Sequence, residues 1–140
     1  MIGTYADGMD YLRAVEFGLF VTPKAAALDN AFALAGLADG KAEFLGVQDH
    51  PYQQAFVDTF TLLGSLLERT SQVRVFPDVA NLPLRPPAVM AQAAATLDLL
   101  SGGRFELGLG AGAFWPAIEA MGGPARSPAR PRARSRTPSR

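Results

Sequence analysis

An α/β protein built from about four consecutive βα units is what three features of this sequence predict. Short apolar runs rich in β-branched and aromatic residues recur about every 30 residues, and each leads into a longer Ala- or Leu-rich stretch. The Asp, Asn, Pro and Gly residues gather where those runs end. A strand, a helix and a second strand in this order make a right-handed crossover between parallel strands, with the helix covering the sheet. Such folds take their ligands at the carboxyl ends of the strands.

Residues 16–21 (EFGLFV), closed by Thr22-Pro23, are the first expected strand, and the Ala- and Leu-rich residues 25–37, followed by Asp39-Gly40, the first helix. Residues 43–47 (EFLGV) form the second strand and run into Gln48-Asp49-His50-Pro51-Tyr52-Gln53. Residues 57–68 (VDTFTLLGSLLE) carry the 3.6-residue apolar period of an outer helix. The clearest unit follows: strand 73–76, helix 88–100, the stop Ser101-Gly102-Gly103, and a fourth strand over the alternating residues 104–110. Residues 115–121 (WPAIEAM) begin a fourth helix that Gly122-Gly123-Pro124 ends. Four such units are half of an eight-stranded βα barrel, which usually needs about 250 residues. The same units also build an open doubly wound sheet, and periodicity leaves that choice open.

Near-zero net charge conceals two unlike parts. Residues 124–140 (PARSPARPRARSRTPSR) hold six Arg and no acid, which leaves residues 1–123 with thirteen acidic against seven basic residues, a formal charge of −6. The tail has no aliphatic residue larger than Ala and is expected to be disordered. The expected organisation is an N-terminal extension over 1–15, a partial barrel domain over 16–123, and the tail. With no cysteine there is no disulfide framework or thiol nucleophile. The apolar runs fall well short of the roughly 18 residues of a membrane span, and the mixed N-terminus is unlike a secretory leader, so the expected location is cytoplasmic.

Several residues at the expected strand ends are suited to chemistry. His50, the chain's single histidine, can titrate near neutrality and donate a hydrogen bond to a bound ring or an oxyanion; otherwise it is a solvent-facing loop residue. Asp49 can orient His50 or act as a turn or capping residue, and one carboxylate with one imidazole is too few for a metal site. Gly108, Gly110, Ala111 and Gly112 in GLGAGAF permit close backbone approach and offer N–H groups at a helix start. Their spacing is G-x-G-x-G, so a dinucleotide fingerprint is a weak reading. Phe114 and Trp115, just past the fourth strand, are candidates for the wall of a substrate pocket or for burial under a helix. Phe20, Phe44, Phe76 and Phe105 read as packing residues, Arg85 as a phosphate partner or a loop tie, and Arg104 as a strand-start residue on the opposite face.

Three blocks, GVQDHPYQ, PDVANLPLRPPAV and ATLDLLSGGRFELGLGAG, resemble the N-terminal half of bacterial-luciferase-like, flavin-dependent monooxygenases, a (β/α)8 TIM-barrel family. The similarity covers about residues 16–123, with LSGGR at the helix end and strand start as its specific part. The resemblance implies an oxidoreductase that uses flavin mononucleotide (FMN), with a deazaflavin coenzyme as the alternative. Reduced flavin, from a partner reductase or already reduced, and oxygen would oxidise a small organic substrate. It also implies a non-proline cis peptide at Asp78-Val79 beneath the flavin ring, with Asn81 offering its amide to the cofactor or its phosphate side; otherwise residues 78–81 are an ordinary polar loop leading to Pro83. Some deazaflavin-using relatives place an acid after the glycine loop, where this chain has Ala113-Phe114, which favours FMN.

Members of that family are about twice as long, so the chain is expected to be a truncated or frameshifted copy, with the Arg-rich tail replacing the later strands and their phosphate site. The alternative is a catalytically inactive half-barrel that self-associates or binds a partner, since an open sheet edge and an uncovered core face invite association. A third reading, a nucleic-acid-binding tail, lacks interleaved aromatic residues and a folded module.

Overall fold

The computed structural model describes residues 14–125. The expected N-terminal extension up to residue 13 and the tail from residue 126 lie outside the described residues.

Three parallel strands form the centre: β1 (Gly18–Val21), β2 (Phe44–Val47) and β3 (Arg74–Pro77), in the order β1-β2-β3. Their register aligns Leu19, Leu45 and Val75, and one step on Val21, Val47 and Pro77. Because side chains alternate across a strand, these residues share one face. Against that face lie helices α1 (Leu28–Ala38) and α2 (Thr59–Arg69). α1 buries Ala31, Ala35 and Ala38, small residues that let it approach the sheet closely; α2 buries Leu62, Leu63, Leu66 and Leu67. With Val73 and Phe105 they make one continuous core.

Each end of this layer is pinned by a polar device. Asp58 caps α2, accepting from the Thr61 N–H at 2.9 Å. Asp39, at the end of α1, accepts from the N–H groups of Ser71, Gln72 and Val73 at 2.7–3.1 Å and so ties α1 to the loop entering β3. Hydrogen bonds led by that from Val73, with burial opposing them, lower its pKa to about 2. Arg104 donates to the Leu67 and Ser101 carbonyls and the Thr70 hydroxyl, so its charge sits at the negative ends of α2 and of α3 (Pro87–Ser101). Gly102 adopts φ +67° just past α3, the left-handed stop expected from Ser101-Gly102-Gly103.

The expected fourth strand over 104–110 appears in two pieces, and the reason lies in its neighbour. Phe105 pairs with Val75 as a single parallel bridge, with ladder bonds from Val75 N–H to the Arg104 carbonyl and from Glu106 N–H to the Val75 carbonyl. β3 then ends at Pro77, which has no N–H to continue the ladder, and the Asp78-Val79 peptide is cis. Pairing resumes only between β4 (Ala80–Asn81) and β5 (Leu109–Gly110). The fourth helix, α4 (Trp115–Ala120), is short and buries Ile118.

The opposite face of the sheet is lightly covered. Phe44 and Phe76 meet edge to face at 5.8 Å, and Arg74 lies over Phe44 while pairing with Glu16 and Glu106. Phe20, expected to pack within its strand, is 52% exposed, because among the described residues β1 has a neighbour on one side only. No described helix is long and apolar enough to cross a membrane.

Candidate functional site

Beyond the carboxyl ends of β2 and β3 lies an open cleft of about 340 Å³, lined by the segments that follow β2, β3 and β5. Asp49, His50, Asp78, Val79, Asn81, Gly110, Ala111 and Gly112 all border it, so residues up to 63 positions apart meet there. Tyr52, Ala80 and Ala113 border it too, and are not among the site residues expected from sequence. Tyr52 was detectable as an aromatic two residues past the histidine in a strand-end loop.

Asp49 sits at the junction of these segments and is only 1% exposed. Its Oδ2 accepts from the Asn81 N–H at 2.8 Å and from Arg85 Nε at 3.0 Å, while Oδ1 accepts from Arg85 Nη2 at 2.9 Å. Arg85 reaches on to Asp58 at 3.0 Å and lies over the Phe60 ring. Burial works against the Arg85 charge, but Asp49 and then Asp58 outweigh it and hold the guanidinium protonated. Asp58 is itself desolvated, yet the Thr61 N–H and Arg85 bring its carboxyl below its ordinary value. A bidentate carboxylate–guanidinium pair with both members largely buried fixes geometry as well as charge. The Asp49 carboxylate, considered from sequence as a partner for His50, is thus committed to Arg85 and Asn81, and Arg85 ties loops together.

His50 bonds elsewhere: its Nδ1 lies 2.9 Å from the side-chain amide nitrogen of Gln48. Its ring stacks on Tyr52 at 5.2 Å and meets the edge of Phe114 at 5.5 Å. Burial, with the Asp49 charge adding to it, raises the Tyr52 phenol above its usual pKa and keeps it a neutral donor. Phe114 therefore closes an aromatic cluster at the rim, without being among the residues that line the cleft, and Trp115 opens α4 just behind it.

The glycines of the loop have a packing explanation. A Cβ on Gly110 would come within 2.5 Å of Val79 Cγ2, and one on Gly108 within 2.5 Å of the Pro77 carbonyl. Both are glycine where β5 runs close against residues 77–80. Gly108 supports the cleft from behind and does not line it. Asn81, 5% exposed, has a buried side-chain oxygen with no hydrogen-bond partner among the described residues. Among the described residues lining the cleft there is no Lys or Arg, while Asp78 contributes a carboxylate. No group of three or more described His, Asp or Glu residues is placed to hold a metal ion.

Comparison with known proteins adds three findings. A family model described as luciferase-like monooxygenase matches residues 15–136. Pyrimidine monooxygenase RutA of Escherichia coli O7:K1 is 35% identical over 126 residues, which are 87% of this chain and 35% of that protein. Two solved structures share the fold at 26% identity. One is the oxygenating constituent of 3,6-diketocamphane monooxygenase from Pseudomonas putida in complex with FMN, with TM-score 0.68, 78% of this chain and 33% of that one covered. The other is the coenzyme F420 dependent tetrahydromethanopterin reductase of Methanopyrus kandleri, with TM-score 0.64, 80% and 31% covered. The chain spans about a third of the length of the curated relatives it matches.

Proposed function

The chain belongs to the luciferase-like monooxygenase family, and from that premise we propose that its cleft holds the ring of a flavin in an oxidoreductase of the monooxygenase type. The observation that carries the reading is the convergence of His50, the cis Asp78-Val79 segment and Asn81 on one cleft at the carboxyl ends of parallel strands. The groups present fit a flat heteroaromatic ring: flanking aromatic side chains, a histidine able to hydrogen-bond, and the unpartnered Asn81 oxygen. Reduced flavin, when bound, would supply two electrons to oxygen, one atom of which enters a small organic substrate while the other leaves as water.

This chain's own residues position and shield. His50 offers a hydrogen bond at the cleft, Val79 and Ala80 present the backbone on which a ring would lie, and Phe114 with Tyr52 keeps water from that side. FMN is the favoured cofactor, as in the P. putida relative, with a deazaflavin such as the F420 of the M. kandleri enzyme as the alternative. A separate reductase supplying reduced flavin is part of the proposal, as is a cytoplasmic location. The described residues lining the cleft supply no cation, which supports its assignment to the ring end of the cofactor.

A second reading, that the chain acts as an inactive partial barrel that associates with itself or a partner, is favoured by the single-neighboured β1 and exposed Phe20. Titration of the purified chain with reduced and oxidised FMN, followed by flavin fluorescence and light scattering, separates the two. Saturable micromolar binding by a species of defined size supports the flavin site. Absence of binding by a folded, associated chain overturns it in favour of the second reading.

A further inference from the structure

Building on the ring-binding reading, we propose that Gln48 is a positioning residue that holds His50 in its Nε2–H form, so that the cleft offers a hydrogen-bond donor there and takes a ligand whose facing atom is an acceptor, such as a ring carbonyl or an oxyanion. The amide nitrogen of Gln48 lies 2.9 Å from His50 Nδ1. An amide NH₂ donates and does not accept, so Nδ1 is the ring nitrogen without hydrogen, and a neutral imidazole then carries its proton on Nε2.

Further contacts on Gln48, His50 and Asp49 make this arrangement specific. The Gln48 N–H donates to the Val21 carbonyl at 3.0 Å and its carbonyl accepts from Thr59 Oγ1 at 2.8 Å, so its backbone is fixed on both sides at the end of β2. The His50 ring is held on one side by the stacked Tyr52 and on another by the edge of Phe114. The neighbouring carboxylate of Asp49, which would favour a proton on Nδ1 if it faced the ring, spends its oxygens on Arg85 and the Asn81 N–H. With Nδ1 engaged, Nε2 is the nitrogen left for a ligand in the cleft that His50 lines.

Because His50 is the chain's single histidine, long-range proton–nitrogen correlation spectra of the tag-free, nitrogen-labelled chain at mildly alkaline pH read its tautomer without assignment. The wild-type chain is expected to show one fixed pattern with Nε2 protonated. Gln48→Glu places an acceptor beside Nδ1 and is expected to reverse the pattern to Nδ1–H. Gln48→Leu, which removes the donor, is expected to draw the two nitrogen shifts toward each other. An Nδ1–H pattern in the wild type overturns the proposal, as does an unchanged pattern in folded Gln48→Glu; if that variant does not fold, shifts in Gln48→Leu identical to wild type do the same. The spectra are recorded without flavin, so they stand or fall independently of the flavin titration.

Discussion

At the scale of single residues, the site rests on a division of labour between adjacent side chains. His50 and Asp49 both border the cleft, but Asp49 gives its carboxylate oxygens to Arg85 and the Asn81 N–H, and Arg85 is the reason Asp49 can be buried as a charge. Removing one partner of such a pair leaves the other uncompensated. Arg85→Ala is therefore expected to lower stability by about 2–3 kcal/mol, less than a fully buried pair because Arg85 keeps some solvent contact, as read from urea unfolding. Arg85→Lys should recover only part of that loss, since a point charge cannot bond both oxygens of Asp49. His50→Ala is expected to leave the unfolding midpoint within error and to weaken reduced-flavin binding about tenfold, the worth of one hydrogen bond. Equal affinity in the two chains would remove His50 from the site. The sequence made His50 and Asp49 visible as a strand-end pair, but not which of them turns inward, because that depends on an arginine 36 positions away.

Elements are joined here by polar ties at their ends, and those ties respond to pH and to added bulk. Asp39 has its pKa lowered to about 2 by the amide groups entering β3, with that of Val73 foremost. A depressed carboxyl contributes stability in full above its ordinary pKa and loses it as pH falls toward the folded value. The difference in thermal midpoint between wild type and Asp39→Ala should accordingly be present at pH 7, shrink below about pH 4 and vanish near pH 2. A difference that does not change with pH would show that the loop is held by packing. Where β5 passes the Asp78-Val79 segment, Gly110→Ala puts a methyl 2.5 Å from Val79, and a loss of about 1–3 kcal/mol is expected by denaturant titration. The paired sequence signals of strand and helix located these elements within a few residues. The break in the fourth strand was not legible, since alternation over 104–110 reports side-chain faces and not whether the neighbouring strand can still donate.

For the whole molecule, the proposed flavin site has its ring end among the described residues, where the cleft is lined by aromatic, histidine, aspartate, asparagine and small residues and by no described lysine or arginine. Riboflavin and FMN are therefore expected to bind this chain with affinities within about threefold of each other. Binding of FMN stronger by tenfold or more would place a phosphate contact on this chain. Among the described residues β1 has one neighbour and Phe20, Phe44 and Phe76 are lightly covered, which supports the second reading, association through this side of the sheet. Concentration-dependent growth in mass by light scattering is expected, and its reversal by a charged residue at Phe20 checks the location.

By itself the sequence determined the parallel βα order, the strand ends at which polar residues gather, and the family resemblance, because each is written in local periodicity and contiguous motifs. Only the tertiary structure decided that Asp49 serves Arg85 and Asn81, that Gln48 is the partner of His50, and that a side chain at Gly108 or Gly110 would collide with the chain of residues 77–79. These outcomes depend on which side chains meet across separate loops. A hydrogen bond or a collision at 2.5–3 Å is fixed by strand register and backbone turns, quantities that no local pattern of residues encodes.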